Sequence, residues 1–178
     1  MESIHLVFYT FVLYYAFLIK QKCTNLTPQI NFKFFNIIII LYFIVDIFFK
    51  IKNQDYIFVF HHILPIIMLL NFNQNSKIEV YVLYLCLLME ISSIFLSFKK
   101  FRVIKNNKTL NNINDIMFAS TFLIIRIYFV CFTLLNIISN KNKYNNSINK
   151  LCIFALIGLN FYWAFFIIKK IKQKIEFS

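Results

Sequence analysis

Two adjacent histidines, His61 and His62, stand inside the apolar run Tyr56-Ile-Phe-Val-Phe-His61-His62-Ile-Leu-Pro65-Ile-Ile-Met-Leu-Leu70. An imidazole surrounded by hydrocarbon needs hydrogen-bond partners, and ionisable groups at membrane depth face a protein interior or a wet cavity. Neighbouring positions on a helix project about 100° apart, so both rings turn toward one bundle centre without sharing a stripe. His5, Asp46, Glu90 and Arg126 also fall in apolar runs. A carboxylate beside a histidine fixes the imidazole tautomer and stabilises the imidazolium, which makes the pair a general base. Such a base deprotonates an amine or hydroxyl, and an imidazole nitrogen also carries acyl groups. His and carboxylate together suit zinc or iron, but the His-x₃-His helical spacing is missing, so no metal is assigned. Plainer roles stand beside these: a Glu90–Arg126 ion pair that sets helix order, an Asp46–Lys50 pair, and a headgroup-facing His5.

The elements that must position these residues are membrane helices. Of 178 residues, 60% are hydrophobic and 20% aromatic, with 24 Phe and a single Gly. That composition is unsuited to a soluble core and suits an integral membrane protein. The formal net charge of +12 comes from basic residues in short loops between apolar runs. Topogenic charge and contact with anionic headgroups account for it, and nucleic acid is not an expected partner. Cys23, Cys86, Cys131 and Cys152 show no metal spacing and imply no disulfide framework. Met1-Glu2 offers no basic n-region, so the first apolar run is expected to be retained.

The pattern predicts an all-α, polytopic bundle of six transmembrane helices at 3–19, 32–49, 56–71, 78–98, 114–138 and 149–168, forming one domain over residues 1–178. Pro65 removes a backbone donor beside the histidines. Asp55 reads as an N-cap or first-turn acid of the third helix. Loops on the amino-terminal side carry 11 Lys or Arg residues against 7 opposite, so both termini are expected in the cytosol. Sequons at Asn25 and Asn145 then fall on the other side. Counting at 1.5 Å per residue puts Asp46, His61 and His62 at one depth, roughly 5–9 Å below the cytosolic boundary. His5 is within reach, with Glu90 and Arg126 beneath.

In this order and spacing the set resembles the TLC-domain family, which includes TRAM-type proteins and ceramide synthases. Ser3-Ile-His5 is similar to its Ser/Thr-x-His, Tyr42-Phe-Ile-Val-Asp46 to its Tyr-Phe/Leu-x-x-Asp, and His61-His62 to its paired histidines. Glu90-Ile-Ser92-Ser-Ile-Phe95-Leu96, Phe122-Leu-Ile-Ile-Arg126 and Asn160-Phe-Tyr-Trp163 are similar to its later segments. The likeness begins at residue 3, so an early helix common in the family is expected to be missing from the chain or its gene model. The synthase stretches Asn-x-x-Arg-x-Gly and His-Asp-x-x-Asp do not follow His62, which points to the shorter, non-synthase branch.

What the resemblance implies is a protein of lipid homeostasis in the endoplasmic reticulum or another endomembrane. It would bind, sense or move a lipid, with His5, Glu90, Ser92, Arg126 and Trp163 contacting it and no cofactor required. The alternative is a ceramide-synthase-like acyltransferase, with acyl-CoA as co-substrate, His61 or His62 as base or acyl carrier, and Asp46 orienting the imidazole. A third reading is a translocon- or membrane-associated scaffold. Membrane lipids are the expected partners, and a homo-oligomer is a further expectation.

Overall fold

In a computed structural model, residues 2–23, 32–73, 75–99, 101–139 and 146–176 are described; the sequons at Asn25 and Asn145 lie outside them. The chain forms α1 (Glu2–Cys23), α2 (Phe32–Lys52), α3 (Tyr56–Leu70), α4 (Lys77–Leu88) and α5 (Glu90–Phe98). It continues through α6 (Arg102–Asn106), α7 (Lys108–Thr121), a π-helical segment (Phe122–Cys131), α8 (Phe132–Ser139) and α9 (Ser147–Glu176). Four stretches are long and apolar enough to cross a bilayer: Phe32–Lys52, Lys77–Phe98, Lys108–Ser139 and Ser147–Gln173. Val7–Lys20 and Tyr56–Leu70 are apolar but shorter. The protein is an integral membrane helical bundle.

Its surface is inverted relative to a soluble protein. Val7, Phe48, Leu70, Tyr128 and Leu151 each expose more than two thirds of their surface, while Asp46, His61, His62 and Arg126 are buried. Apolar faces turned outward are solvated by lipid tails, so the polar groups gather inside.

The span α4–α5 is the central one. Val80, Leu83 and Leu87 pack toward α1 and α2, with Phe8, Val12, Ile19 and Ile39. Val82, Leu85 and Met89 pack toward the π-helical segment, α8 and α9, with Val130, Leu134, Ile153 and Leu156. Small residues, the usual close-contact device between membrane helices, are scarce here, and Gly158 faces open space. Aromatic rings fill the α1–α2 interface instead: Phe11 and Tyr15 both stack on Phe35, at centroid distances of 5.2 and 4.3 Å. The buried Tyr15 hydroxyl donates to Asn36 Oδ1 at 3.2 Å, which satisfies a group that hydrocarbon would not.

The fifth and sixth spans begin earlier than the apolar pattern alone suggests, at Lys108 and Ser147, because their polar first turns are capped. Asn107 Oδ1 accepts from the Leu110 N–H at 3.1 Å and Asn146 Oδ1 from the Asn149 N–H at 3.1 Å, the ordinary N-cap bond. At that second cap Glu79 also ties three elements together, accepting from the Asn73 N–H at 2.8 Å and from Asn146 Nδ2 at 3.4 Å. Asp55 takes the N-cap position of α3, yet its side chain makes no cap bond. Its backbone carbonyl accepts from Phe58 and Val59 instead, at 3.0 and 3.2 Å.

The α2–α3 turn is tight. Gln54 has φ 60°, a left-handed conformation that suits glycine better than a residue with a Cβ. The Gln54 N–H donates to Ile51 O at 3.0 Å and the Asp55 N–H to Lys50 O at 2.9 Å, closing the reversal. A β-branched side chain at this φ is disfavoured by about 1–2 kcal/mol. Gln54→Val should therefore lower the unfolding midpoint in detergent, whereas Gln54→Gly should hold or raise it; equal midpoints would remove strain from this turn.

Candidate functional site

The tight turn sets the register of the site. Asp46 and His62 lie eight residues on either side of Gln54, so two antiparallel helices bring them to one depth. His62 Nε2 lies 2.7 Å from Asp46 Oδ2. An ionised carboxylate only accepts, so Nε2 is the donor of this hydrogen bond and Nδ1 is the ring nitrogen that Asp46 does not engage. Among the described residues, Nδ1 of His62 and Nδ1 of His61 are buried without a hydrogen-bond partner. Lys50 does not take Asp46 from the histidine; its Nζ sits 4.5 Å from the centre of the Phe58 ring, a cation–π arrangement.

Helical phase separates the two imidazoles. His62 turns toward α2, where its ring stacks at 5.0 Å on Phe43. His61 turns toward α9, edge to face with Trp163 at 5.0 Å, and Trp163 in turn stacks on Phe58 at 5.3 Å. Pro65 lies inside α3 four residues after His61, so the His61 carbonyl receives no ladder hydrogen bond from position 65.

Beneath this pair the central span breaks at Met89, between α4 and α5. The Met89 carbonyl accepts from Arg126 Nε at 3.0 Å, Arg126 Nη2 at 2.6 Å and Ser92 Oγ at 3.1 Å. Arg126 Nη2 also donates to Ser93 Oγ at 3.2 Å. The Glu90 carboxylate is farther away, with Oε1 at 3.8 Å from Nη2. Arg126 therefore acts first as a cap on a main-chain carbonyl and second as an ion-pair partner. It lies in the π-helical segment, where the widened turn shifts side-chain phase, a local form that recurs at functional sites. Asn160 on α9 braces the same break, its Nδ2 3.5 Å from Met89 Sδ and 2.8 Å from Leu156 O.

These side chains enclose a cavity of about 240 Å³, room for several waters or a small headgroup. Asp46, His61, His62, Glu90, Ser92, Arg126 and Trp163 all line it. The side chain of His5 lies outside the described residues. The cavity also takes in Lys50, weighed above as a partner of Asp46, and Tyr9, Ser93 and Ser97, which the sequence pattern did not single out. A signal existed: Glu90, Ser93 and Ser97 share one helical face, and Tyr9 stands one turn beyond His5. Tyr9 is hydrogen-bonded to Ser97 and Tyr42. Ser92 lines the cavity and donates its hydroxyl to the Met89 carbonyl at 3.1 Å. His61 and Glu90 also face a narrower apolar seam of about 50 Å³ that runs to Glu79 and Asn149. Among the described residues no three His, Cys, Asp or Glu side chains converge as a metal site. The arrangement offers an oriented base, a cation, a second carboxylate and hydroxyls around a void.

A family model described as the TLC domain matches residues 1–169. The chain belongs to the TLC-domain family, and that membership ties it to a membrane lipid-related function. No curated protein and no solved structure matches it.

The geometry ranks Arg126 above Glu90. Arg126→Gln leaves the Met89 carbonyl and Glu90 without their cation and should cost about 3–5 kcal/mol; Glu90→Gln should cost about 1 kcal/mol. Exchanging the two charges should not recover the lost protein, because a carboxylate at 126 would face the Met89 carbonyl. Folded yield by size-exclusion fluorescence would read this, and full recovery in the exchanged protein would favour a simple ion pair.

Proposed function

We propose that this member of the TLC-domain family is a lipid-binding protein of membrane lipid homeostasis, from the family's shorter, non-synthase branch, whose polar cavity holds a lipid headgroup. The observation that carries the reading is the buried His62–Asp46 pair at 2.7 Å beside Arg126 and Glu90, all lining one cavity. Charged groups in hydrocarbon are costly, and a cavity that keeps this many of them suits a ligand with both donors and acceptors. Lys50 and Tyr9 extend the polar lining. The apolar seam behind His61 gives the lipid's chain a direction, and its Met68 and Met89 side chains are flexible enough to move aside for it. The surplus of lysine at the end bearing Lys50, Lys99 and Lys170 supports an orientation with both termini cytosolic, in the endoplasmic reticulum or another endomembrane.

One observation favours a second reading. Nδ1 of both histidines lacks a partner among the described residues, and Asp46 orients His62 as it would orient a base. In an acyltransferase, His62 Nδ1 would take the proton from a lipid amine or hydroxyl as that group attacks an acyl-CoA thioester, and the CoA thiolate would leave. The basic loops would attract the CoA phosphates.

Lipid mass spectrometry of purified protein separates these readings. One lipid class should be enriched over the surrounding membrane in the wild type. It should fall by about tenfold or more in Asp46→Asn and His62→Ala, since a charge-assisted hydrogen bond contributes about 1.5–3 kcal/mol. An acyl mass on the His61–His62 peptide would shift the conclusion to acyl transfer. Identical lipid profiles in the wild type and both variants would defeat the binding reading.

A further inference from the structure

A second cavity, of about 170 Å³, lies toward the Lys-rich side of the bundle, between the C-terminal end of α5, the middle of α7 and the later part of α9. α7 packs mainly on α5, whereas α9 packs on α3 and the π-helical segment; the cleft sits where α7 and α9 diverge. Its floor is apolar, with Phe95 and Leu96 from α5, Phe118 from α7, and Ile167 and Ile171 from α9. Its lining is also charged, with Lys99 from the end of α5, Asp115 beside it and Lys170 from α9. Lys99 Nζ lies 2.7 Å from Asp115 Oδ1 and its side chain is 37% exposed; Lys170 is exposed. Asn114 is buried, and its Nδ2 closes the floor by donating to Phe95 O at 2.9 Å.

The cleft is open toward the outside of the bundle, so it is filled by whatever surrounds the protein. On a lipid-facing surface, the molecule at hand to fill it is a lipid tail. Lys99 closes α5 and Lys170 follows the apolar part of α9, chain positions that suit headgroup depth for both ammonium groups. Basic pockets between membrane helices select anionic headgroups. We propose that this cleft is a second lipid site that takes an anionic phospholipid of the surrounding leaflet, its phosphate between Lys99 and Lys170 and one acyl chain along the Phe95–Phe118–Ile167 floor. Asp115 is the built-in competitor: it partly neutralises Lys99, and the phosphate must share that ammonium. The cleft shares Leu96, Phe118 and Ile167 with the polar cavity, so the bound chain lies directly against its wall. The site does not depend on what the polar cavity binds.

The test uses the full chain in nanodiscs of phosphatidylcholine with a minority of phosphatidylserine, followed by native mass spectrometry of the lipid it retains. The wild type should retain phosphatidylserine in preference to phosphatidylcholine. Lys170→Gln and Lys99→Gln should each weaken that preference about fivefold, and roughly twenty-five-fold together if they act independently. Asp115→Asn should strengthen it, because Lys99 is released to the phosphate. A merely structural Lys99–Asp115 pair would behave oppositely, with both single variants losing folded protein and Asp115→Asn gaining no lipid. Lys170 is exposed, so its variant reads the headgroup contact without a folding penalty. An unchanged phosphatidylserine preference in Lys170→Gln, or no preference in the wild type, overturns the proposal. Asp46→Asn should leave the preference intact, which keeps failure here distinguishable from failure of the polar-cavity reading.

Discussion

The hydrogen bond between His62 Nε2 and Asp46 Oδ2, 2.7 Å long and buried on both sides, is the contact on which the site depends. Neither group is tolerable alone at this depth: leaving one member of a buried pair without its partner costs about 3–5 kcal/mol. The pair forms only if α2 and α3 keep their register, and that register is set by a turn closed at Gln54 in a left-handed conformation. A one-residue slip would rotate either side chain by about 100° and separate them. The pair therefore fixes the hairpin, and the hairpin fixes which way the other histidine points.

A second constraint comes from the main chain. At Met89 the central span stays right-handed helical but its regular ladder is interrupted, and a main-chain carbonyl freed at membrane depth must be satisfied inside the protein. Arg126 and Ser92 supply donors to the Met89 carbonyl, and Asn160 presses on its side chain. The break gives the central span two segments whose inner half carries Glu90, Ser93 and Ser97 toward the cavity. The guanidinium in the lining is thus placed by a structural duty, and the cavity inherits its charge.

Much of this was legible in the residues. The shared depth of Asp46, His61 and His62 follows from counting along two helices and a short turn, and Glu90 and Arg126 stood out because ionisable groups are rare in apolar runs. The carbonyl that holds Arg126 did not stand out, since a main-chain acceptor exists at every position and has no side-chain signature. The π-helical segment was invisible for the same reason: Phe122–Cys131 is as apolar as an α-helical span. Asp55 shows the limit of cap rules, because its side chain leaves the first turn of α3 to the backbone. The cleft between the end of α5, the middle of α7 and the later part of α9 depends on the divergence of two helices, which no local pattern encodes.

Both the lipid-binding reading and the acyl-transfer alternative require Asp46 to hold the proton on one nitrogen of His62 and leave the other facing a ligand. The chain has 3 histidines, so ¹⁵N-histidine labelling and solid-state NMR in lipid bilayers would resolve them one by one. The account predicts that His62 keeps a protonated Nε2, hydrogen-bonded to a carboxylate, in both its neutral and charged states, and that Asp46→Asn abolishes that signature. An unprotonated Nε2 on His62, or a spectrum indifferent to Asp46→Asn, would contradict it.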